Sequence, residues 1–345
     1  MTKSIIYIFN GRFPTEKAHG VQIANMCQAF ARAGVAVTLV VPYRNNAIRQ
    51  DAFEYYGAKR NFKIQYVGAL DAMHIVPGKI AHAIQTLTSM ISFFWYLLMY
   101  QADVFYARDP ASLLLLSFLG RPYVAELHDY RARQPRWWMK RILKKAKKIV
   151  VNSEGTRTLL MNHYSDITKV LVAPNGVDLD FFDISETREQ ARTKLQLPQD
   201  KIIIGYVGRL EVAGRDKGVP MLQDAFERMQ LRAKAELLLV TSVPYKQVPL
   251  YLRAIDIAVI PFPGVQHAKT TSPIKMFEYM AAGKAIVVAD SSDSQRLAET
   301  LDALVTDPER IKNLGLQARE EAKSHTWDQR ARVIIKELVL LRNLD

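Results

Sequence analysis

The apolar runs at the start of the chain leave few folds open. Ile5 to Phe9 is a run of strand length, Asn10 to Gly20 is polar, Val21 to Ala33 carries apolar residues at helical spacing, and Val35 to Val41 is a second apolar run stopped by Pro42. Gly34 ends the helical pattern, as a left-handed C-terminal residue does. Continuous rather than alternating apolar runs mark strands buried on both faces, so this is a parallel βαβ unit. Further strands are expected at Val104 to Tyr106, Tyr123 to Leu127, Lys148 to Val151 and Val170 to Val172. After the turn Pro174 to Asp178 and the polar stretch Ser185 to Asp200, the alternation starts afresh with strands Ile202 to Val207, Glu236 to Thr241, Ile257 to Pro261 and Ala285 to Ala289. Helical patterns Glu309 to Ser324 and Trp327 to Leu341 close the chain. The expectation is α/β, with two doubly wound parallel-sheet domains over 1–184 and 185–325 and a C-terminal helix over 326–345.

In such folds ligands bind at the carboxyl ends of strands, so the loops there carry the chemistry. Gly20 immediately precedes the expected first helix and permits close backbone approach of a phosphate. No GxGxxG follows the first strand of either domain. In "GYVGRLEVAGRDKGV", Arg209 and Lys217 lie between a strand and the next helix. In "TSPIKMFEYMAAGKAIVVAD", Ser272 is the expected N-cap, Pro273 the first helical residue and Gly283 the helix stop. Lys275 then occupies the third helical position, which the helix dipole disfavours for a cation. Either it is solvated there, or an anion shares the helix N-terminus with it. If strand order sets these loops side by side, Arg209, Lys217 and Lys275 converge on one anion.

The net charge of +13 fits anionic partners: nucleic acid, phosphorylated small molecules or acidic lipid. With 49% hydrophobic residues the chain is neither disordered nor fibrous. The single cysteine, Cys27, excludes a disulfide framework within the chain and falls in a helical apolar pattern, as core filler does. It fits a reducing cytoplasm, and the N-terminus reads as a first strand rather than a signal peptide.

The segments "HGVQIANMCQAFARAGVAVTLVVP", "ELHDY", "KIVVNSEGTRTLL", "APNGVDLDFF", "GYVGRL" with "KGV", "DIAVIPF", "SPIKMFEYMAAGKAIVVAD" and "TWDQRA", in that order, resemble glycosyltransferase family 4. The resemblance runs over nearly the whole chain. It implies a GT-B fold, two Rossmann-like domains facing a cleft, and retaining transfer from a nucleoside diphosphate sugar, first of all a uridine one. It implies that Arg209 and Lys217 hold the donor diphosphate, with backbone amides near Pro273, Ile274 and Lys275 and at Gly20 helping. Glu278 would bind the ribose hydroxyls, and His128 would face the donor sugar and the reacting centre. No cofactor or metal is expected, because a diphosphate leaves without a general acid when cations and dipoles receive its charge. Asp178 and Asp180 could be read as the metal-binding pair of the other main glycosyltransferase fold, but Asp178 ends the "PNGVD" turn and Asp180 directly follows it, and the other motifs speak against a metal.

Thr270 stands where the family commonly has a second Glu, and the second domain looks short between Val240 and Val248 and between Asp290 and Leu297. The acceptor is expected to be a saccharide or a lipid-linked one. Alternatives are a sugar-nucleotide epimerase or hydrolase, or a nucleotide-sugar-binding subunit without catalysis. Ile84 to Tyr100 is apolar but only 17 residues long, so a helix packed on the sheet is expected rather than a span. Arg131 to Lys148 carries nine cations, no anions and the pair Trp137 and Trp138. This fits an interfacial helix on anionic lipid, or a solvated face, better than a nucleic-acid groove, where aromatics would recur along a basic surface.

Overall fold

The computed structural model of the chain describes residues 4–72, 76–128, 136–212, 215–241, 243–262, 270–290 and 293–342. Two compact units emerge, Met1–Pro174 with Trp327–Asp345, and Asn175–Thr326. The chain changes unit at Asn175, ahead of the polar stretch at Ser185, for a local reason. Asn175 is bonded by its backbone N–H to Ser272 Oγ at 2.9 Å, and Val177 N–H donates to His325 O at 2.9 Å.

The first unit runs β1 (Ser4–Ile8), α1 (Ala18–Arg32), β2 (Ala36–Pro42), α2 (Ala52–Tyr56), β3 (Lys63–Val67), α3 (Gly78–Met99), β4 (Val104–Ala107), α4 (Pro110–Leu119), β5 (Tyr123–Leu127), α5 (Arg136–Lys145), β6 (Lys148–Val151), α6 (Glu154–His163) and β7 (Val170–Val172). The C-terminal helix Trp327–Arg342 also belongs to it and packs on α1. Its seven strands are parallel, in the order β3-β2-β1-β4-β5-β6-β7, with Ile5 opposite both Val37 and Val104. Strand order reverses between β1 and β4, which makes the carboxyl ends of β1, β4 and β5 the topological switch of the sheet. Phe93 and Leu97 of α3, Leu113 and Leu116 of α4, Ile142 and Leu143 of α5 and Leu160 of α6 enter one core cluster, so these four helices cover one face. Helix starts follow side-chain caps where they exist: Asp109 accepts from Ser112 N–H at 2.9 Å with Pro110 at the first position, and Ser153 accepts from Thr156 N–H at 3.1 Å.

Helix α1 has no side-chain cap and begins at Ala18, so Gly20 sits in its first turn rather than before it. β3 was not among the expected strands; its sequence KIQYV places Lys63 and Gln65 among exposed or half-exposed residues, and an edge strand needs no apolar run.

The second unit runs α7 (Leu179–Phe182), α8 (Arg188–Lys194), β8 (Ile202–Val207), β9 (Glu211–Val212), β10 (Arg215–Asp216), α9 (Val219–Arg228), β11 (Ala235–Val240), α10 (Val248–Ala254), β12 (Ile257–Phe262), α11 (Ile274–Ala281), β13 (Ala285–Asp290), α12 (Ser294–Val305) and α13 (Pro308–Ala322). Among the described residues its parallel sheet has four strands, β11-β8-β12-β13, and β9 with β10 forms a separate antiparallel pair. The sheet is thus narrower than that of the first unit, with β11 and β13 at its edges. Gly283 follows α11 with φ 65°, the left-handed stop its position implies.

Candidate active site

In the second unit β8 and β12 are neighbours, and this brings the loop leaving β8 beside the start of α11, which follows β12. Gly208 closes β8 with φ 146°, and a Cβ on it would lie 2.7 Å from Lys275 Nζ. The glycine is therefore needed twice, for its backbone angle and for the space the lysine occupies. Lys275 Nζ stands 3.7 Å from the centroid of the Tyr206 ring, a cation–π contact. The Tyr206 hydroxyl in turn donates to Arg209 O at 2.7 Å. Burial lowers Lys275 to about 7; Glu278, one turn along α11, opposes this and Lys217 adds to it. Lys217 and Lys275 are thus close enough to repel, as two cations gathered for one anion would be. Arg209, two residues after β8, is exposed.

The fit of α11 differs by one residue from the expected one. Its N-cap is Pro273, with Ile274 and Lys275 as the first two helical residues, and Ser272 makes no cap. The Ser272 hydroxyl instead accepts the Asn175 N–H, and Ser272 O accepts from Asn175 Nδ2 at 2.5 Å. The other end of the bracket is Tyr279, whose hydroxyl accepts from Val207 N–H at 2.9 Å and donates to Val207 O at 3.3 Å. The start of α11 is thereby fixed to the end of β8. At α9 the protein caps itself: Asp216 Oδ1 accepts from Gly218 N–H and from Val219 N–H, the latter at 3.2 Å. These two amides are thereby already satisfied within the chain.

Glu278 is buried, and burial pushes its carboxyl up to about 7, against a hydrogen bond with Tyr245 and the charge of Lys275. The Tyr245 ring stacks on Phe181, with centroids 5.0 Å apart and planes 6° apart. A carboxyl held in this way can bond hydroxyl groups, and the ammonium of Lys275 a turn earlier can meet an anion.

In the first unit His128 follows β5 at the switch, with its side chain 16% exposed. Burial and the neighbouring Arg108 lower it to about 4, with Glu126 opposing, so the ring is neutral at neutral pH. His128 Nε2 lies 2.6 Å from Glu126 Oε1. A carboxylate there accepts from Nε2–H, which leaves Nδ1 as the acceptor of the ring. Burial opposes the charge on Glu126, but Arg330 and His128 hold its carboxyl well below the ordinary range. Arg330, on the C-terminal helix, donates from Nη2 to Glu126 Oε1 at 2.6 Å and from Nε to Ala173 O and Pro174 O at 3.1 and 3.0 Å. Gln22 of α1 donates to Glu126 Oε1 at 3.0 Å and accepts from Arg108 Nη1 at 2.6 Å. His19 of α1, lowered by burial to about 3, is a second neutral imidazole here.

Gly20 lies in the same helix turn, and its N–H donates to Lys17 O at 2.8 Å. A Cβ on it would come within 2.1 Å of the Tyr56 hydroxyl, which bridges Thr15 N and O at 2.7 and 2.8 Å. Packing alone thus accounts for glycine at this position. Cys27 is fully buried, and burial raises its thiol well above its usual range, as core filler requires. Among the described residues no group of three His, Cys, Asp or Glu side chains could hold a metal ion.

Sequence reasoning reached His128, Arg209, Lys217, Lys275 and Glu278 but not the residues that hold them: Glu126, Arg330, Arg108, Gln22, Tyr206 and Tyr245. Two of these stood inside quoted motifs, Glu126 in "ELHDY" and Arg330 in "TWDQRA".

Residues 19–181 match the family model "Glycosyltransferase Family 4". A segment of 71 residues is 37% identical to D-inositol 3-phosphate glycosyltransferase of Mycolicibacterium paratuberculosis, taking in 20% of this chain and 16% of that relative's length. The fold resembles sucrose-phosphate synthase of Thermosynechococcus elongatus, with a TM-score of 0.78 at 16% identity over 99% of this chain and 100% of that one. It also resembles Anabaena HepE in complex with UDP-glucose, with a TM-score of 0.66 at 14% identity over 97% of this chain and 99% of that one. Residues 19–181 thus match glycosyltransferase family 4, and the chain has a GT-B-like fold along its length.

Proposed function

We propose that the chain transfers a sugar from a uridine diphosphate sugar to a saccharide or lipid-linked acceptor, with retention and without a metal ion, in the cytoplasm. The observation that carries this reading is Lys275 seated against Gly208 at the N-terminus of α11, with Lys217 near enough to repel it and buried Glu278 one turn on. Arg209 and Lys217 hold the diphosphate, aided by the backbone at Pro273, Ile274 and Lys275. Glu278 takes the ribose hydroxyls. The uridine base is carried over from the UDP-glucose complex of Anabaena HepE.

In the reaction the anomeric C–O bond to the diphosphate breaks, and the acceptor oxygen forms its bond on the same face. The leaving phosphate takes the acceptor's proton. Lysine and arginine charges aimed at the departing oxygens lower the barrier, and no paired carboxylates are needed. Neutral His128 contributes a hydrogen bond to the sugar rather than a charge.

The test combines binding and turnover. UDP should raise the unfolding midpoint far more than uridine does, since ligand at about 100 times its dissociation constant adds about 2.7 kcal/mol. Arg209→Ala and Lys217→Ala should each weaken UDP binding much more than uridine binding, and equal losses would remove the phosphate assignment. With UDP-sugar and an acceptor panel, UDP release coupled to a glycosylated product supports transfer. Donor turnover without any acceptor would point to an epimerase or hydrolase, and binding without turnover to a non-catalytic subunit. Activity should survive a chelator; a loss restored by Mg²⁺ or Mn²⁺ would overturn the metal-free mechanism.

A further inference from the structure

Helix α3 was expected to lie packed on the sheet, and one side of it does: Ala81, Gln85, Ser89, Phe93 and Leu97 form a buried stripe. Its opposite side is as apolar and faces water. Leu87, Ile91, Trp95 and Leu98 recur at helical spacing and are 63, 51, 58 and 44% exposed. Across the 22 residues of α3 the only Lys, Arg, Asp or Glu is Lys79. Single exposed apolar residues are ordinary, but a continuous helical stripe of this kind marks a surface made to be covered.

The stripe does not stand alone. α3 contacts α4, and α4 contacts α5, on the same face of the sheet. Phe118 of α4 is exposed, with the Arg141 guanidinium 3.9 Å from its ring centroid. Trp137 of α5 is 60% exposed, edge-on to Trp138. The cations of α5 form a rim to this apolar ground: Arg136, Lys140, Lys144 and Lys145 are exposed, and Lys147 follows them. Between α5 and the turn before β7 a cavity of about 270 Å³ is lined by Lys140, Lys144 and Lys169, with Asp166 among them. Of the segment Arg131 to Lys148, residues 131–135 lie outside the described residues.

We propose that this three-helix face of the first unit docks flat on an anionic lipid bilayer, with the outer stripe of α3, Phe118 and Trp137 in the headgroup and acyl boundary and the α5 cations against lipid phosphates. Charge decides the occupant. A second copy of the chain would bring the same cationic rim against itself, whereas an anionic membrane meets apolar stripe and cations together. A spanning role is not open to α3, since no helix among the described residues is long and apolar enough to cross a membrane. The proposal stands apart from the donor assignment, because none of these residues belongs to the candidate active site.

The experiment is sedimentation of the whole protein with vesicles of phosphatidylcholine, with and without about 30 mol % phosphatidylglycerol. The wild type should sediment only with the anionic vesicles, and less in high salt. Replacing Lys140, Lys144 and Lys145 together by Gln should lower the partition coefficient on the order of 100-fold. Ile91→Glu with Trp95→Glu should abolish binding even at low salt. A wild type that stays in the supernatant overturns the proposal, as does a double variant that still binds. So does a vesicle-free dimer of the wild type that the double variant dissolves, since the face would then be covered by a second copy. A measurement independent of variant folding uses brominated acyl chains. Of the four tryptophans Trp327 is buried, so quenching of the wild-type emission on anionic vesicles reports the others, and its absence removes the insertion.

Discussion

Arg330 and Glu126, 204 residues apart in the chain, form a buried ion pair in which Arg330 Nη2 lies 2.6 Å from Glu126 Oε1. The same carboxylate oxygen is 2.6 Å from His128 Nε2. The C-terminal helix therefore helps set the proton position on the histidine at the switch of the first sheet. Removing one partner of such a pair leaves the other charge buried without compensation, at a cost of about 3 kcal/mol or more. Glu126→Gln and Arg330→Met should each destabilise strongly, and the double variant should recover part of the loss. Urea unfolding read as a double-mutant cycle measures this, and purely additive losses would argue against a functional pair. His128→Ala, by contrast, should lower turnover with UDP affinity nearly intact. A variant with full turnover would take His128 out of the reacting centre.

The two half-buried imidazoles give the first unit a dependence on acid. His128 and His19 are lowered from 6.5 to about 4 and about 3, both chiefly by burial. The unfolded chain takes up these protons first, so stability contributed by the neutral rings is present above the unfolded value and lost as pH falls from about 6.5 towards the folded values. Glu278, raised to about 7, runs the other way, because the folded state takes its proton first and loses that stability as pH rises. The informative quantity is thus the difference between variants. His19→Gln or His128→Gln should flatten the loss between about pH 6.5 and 4.5 by roughly 1 kcal/mol per pH unit each. Parallel curves for wild type and variant would mean that the rings are protonated in the folded protein.

How much could be read from the sequence varied with the range of the interaction. Local signals carried far: the βαβ alternation, the left-handed stop at Gly283, and the meeting of the loop after β8 with the start of α11 that a parallel sheet creates. What failed needed contacts from elsewhere in the chain. Ser272 looks like an N-cap until the Asn175 backbone takes its hydroxyl, and α1 starts at Ala18 without any cap to announce it. Gly20 suggested a phosphate, yet Tyr56, from a different helix, fills the space its missing Cβ leaves. The apolar pattern of α3 showed a helix but not that half of its apolar surface is left uncovered, since Ile91 and Phe93 look alike in sequence.

Gly208 is the position where a single methyl group should separate these effects. With φ 146° and a virtual Cβ 2.7 Å from Lys275 Nζ, Gly208→Ala must both strain the backbone and displace the ammonium from the Tyr206 ring. Backbone strain of this kind costs about 1 to 3 kcal/mol. UDP affinity should fall together with stability, whereas Gly68→Ala, where an added Cβ meets nothing within 4 Å, should change neither. Calorimetric titration with UDP checks this, and unchanged affinity in Gly208→Ala would show that Lys275 does not meet the diphosphate.

The lowered Lys275 gives the donor site its own pH signature. With its folded value at about 7, the ammonium is charged below that pH and progressively neutral above it, while its unfolded value remains near 10.5. A diphosphate is already fully ionised there and binds the charged form, so binding above about pH 7 must take up a proton, and affinity falls by up to about tenfold per pH unit. Glu278 ionises over the same range and adds a negative charge one turn away, which acts in the same direction. The UDP dissociation constant should therefore rise between about pH 7 and 9. In Lys275→Arg, whose guanidinium keeps its charge throughout, the slope should shrink to the part that Glu278 contributes, whatever the affinity at the lower end. Glu278→Gln should keep most of the slope and shift it to lower pH, because the carboxylate that raises Lys275 is gone. Titration calorimetry in two buffers of different ionisation enthalpy measures the proton uptake directly. A flat wild-type profile without proton uptake would mean that Lys275 is not the group receiving the phosphate charge.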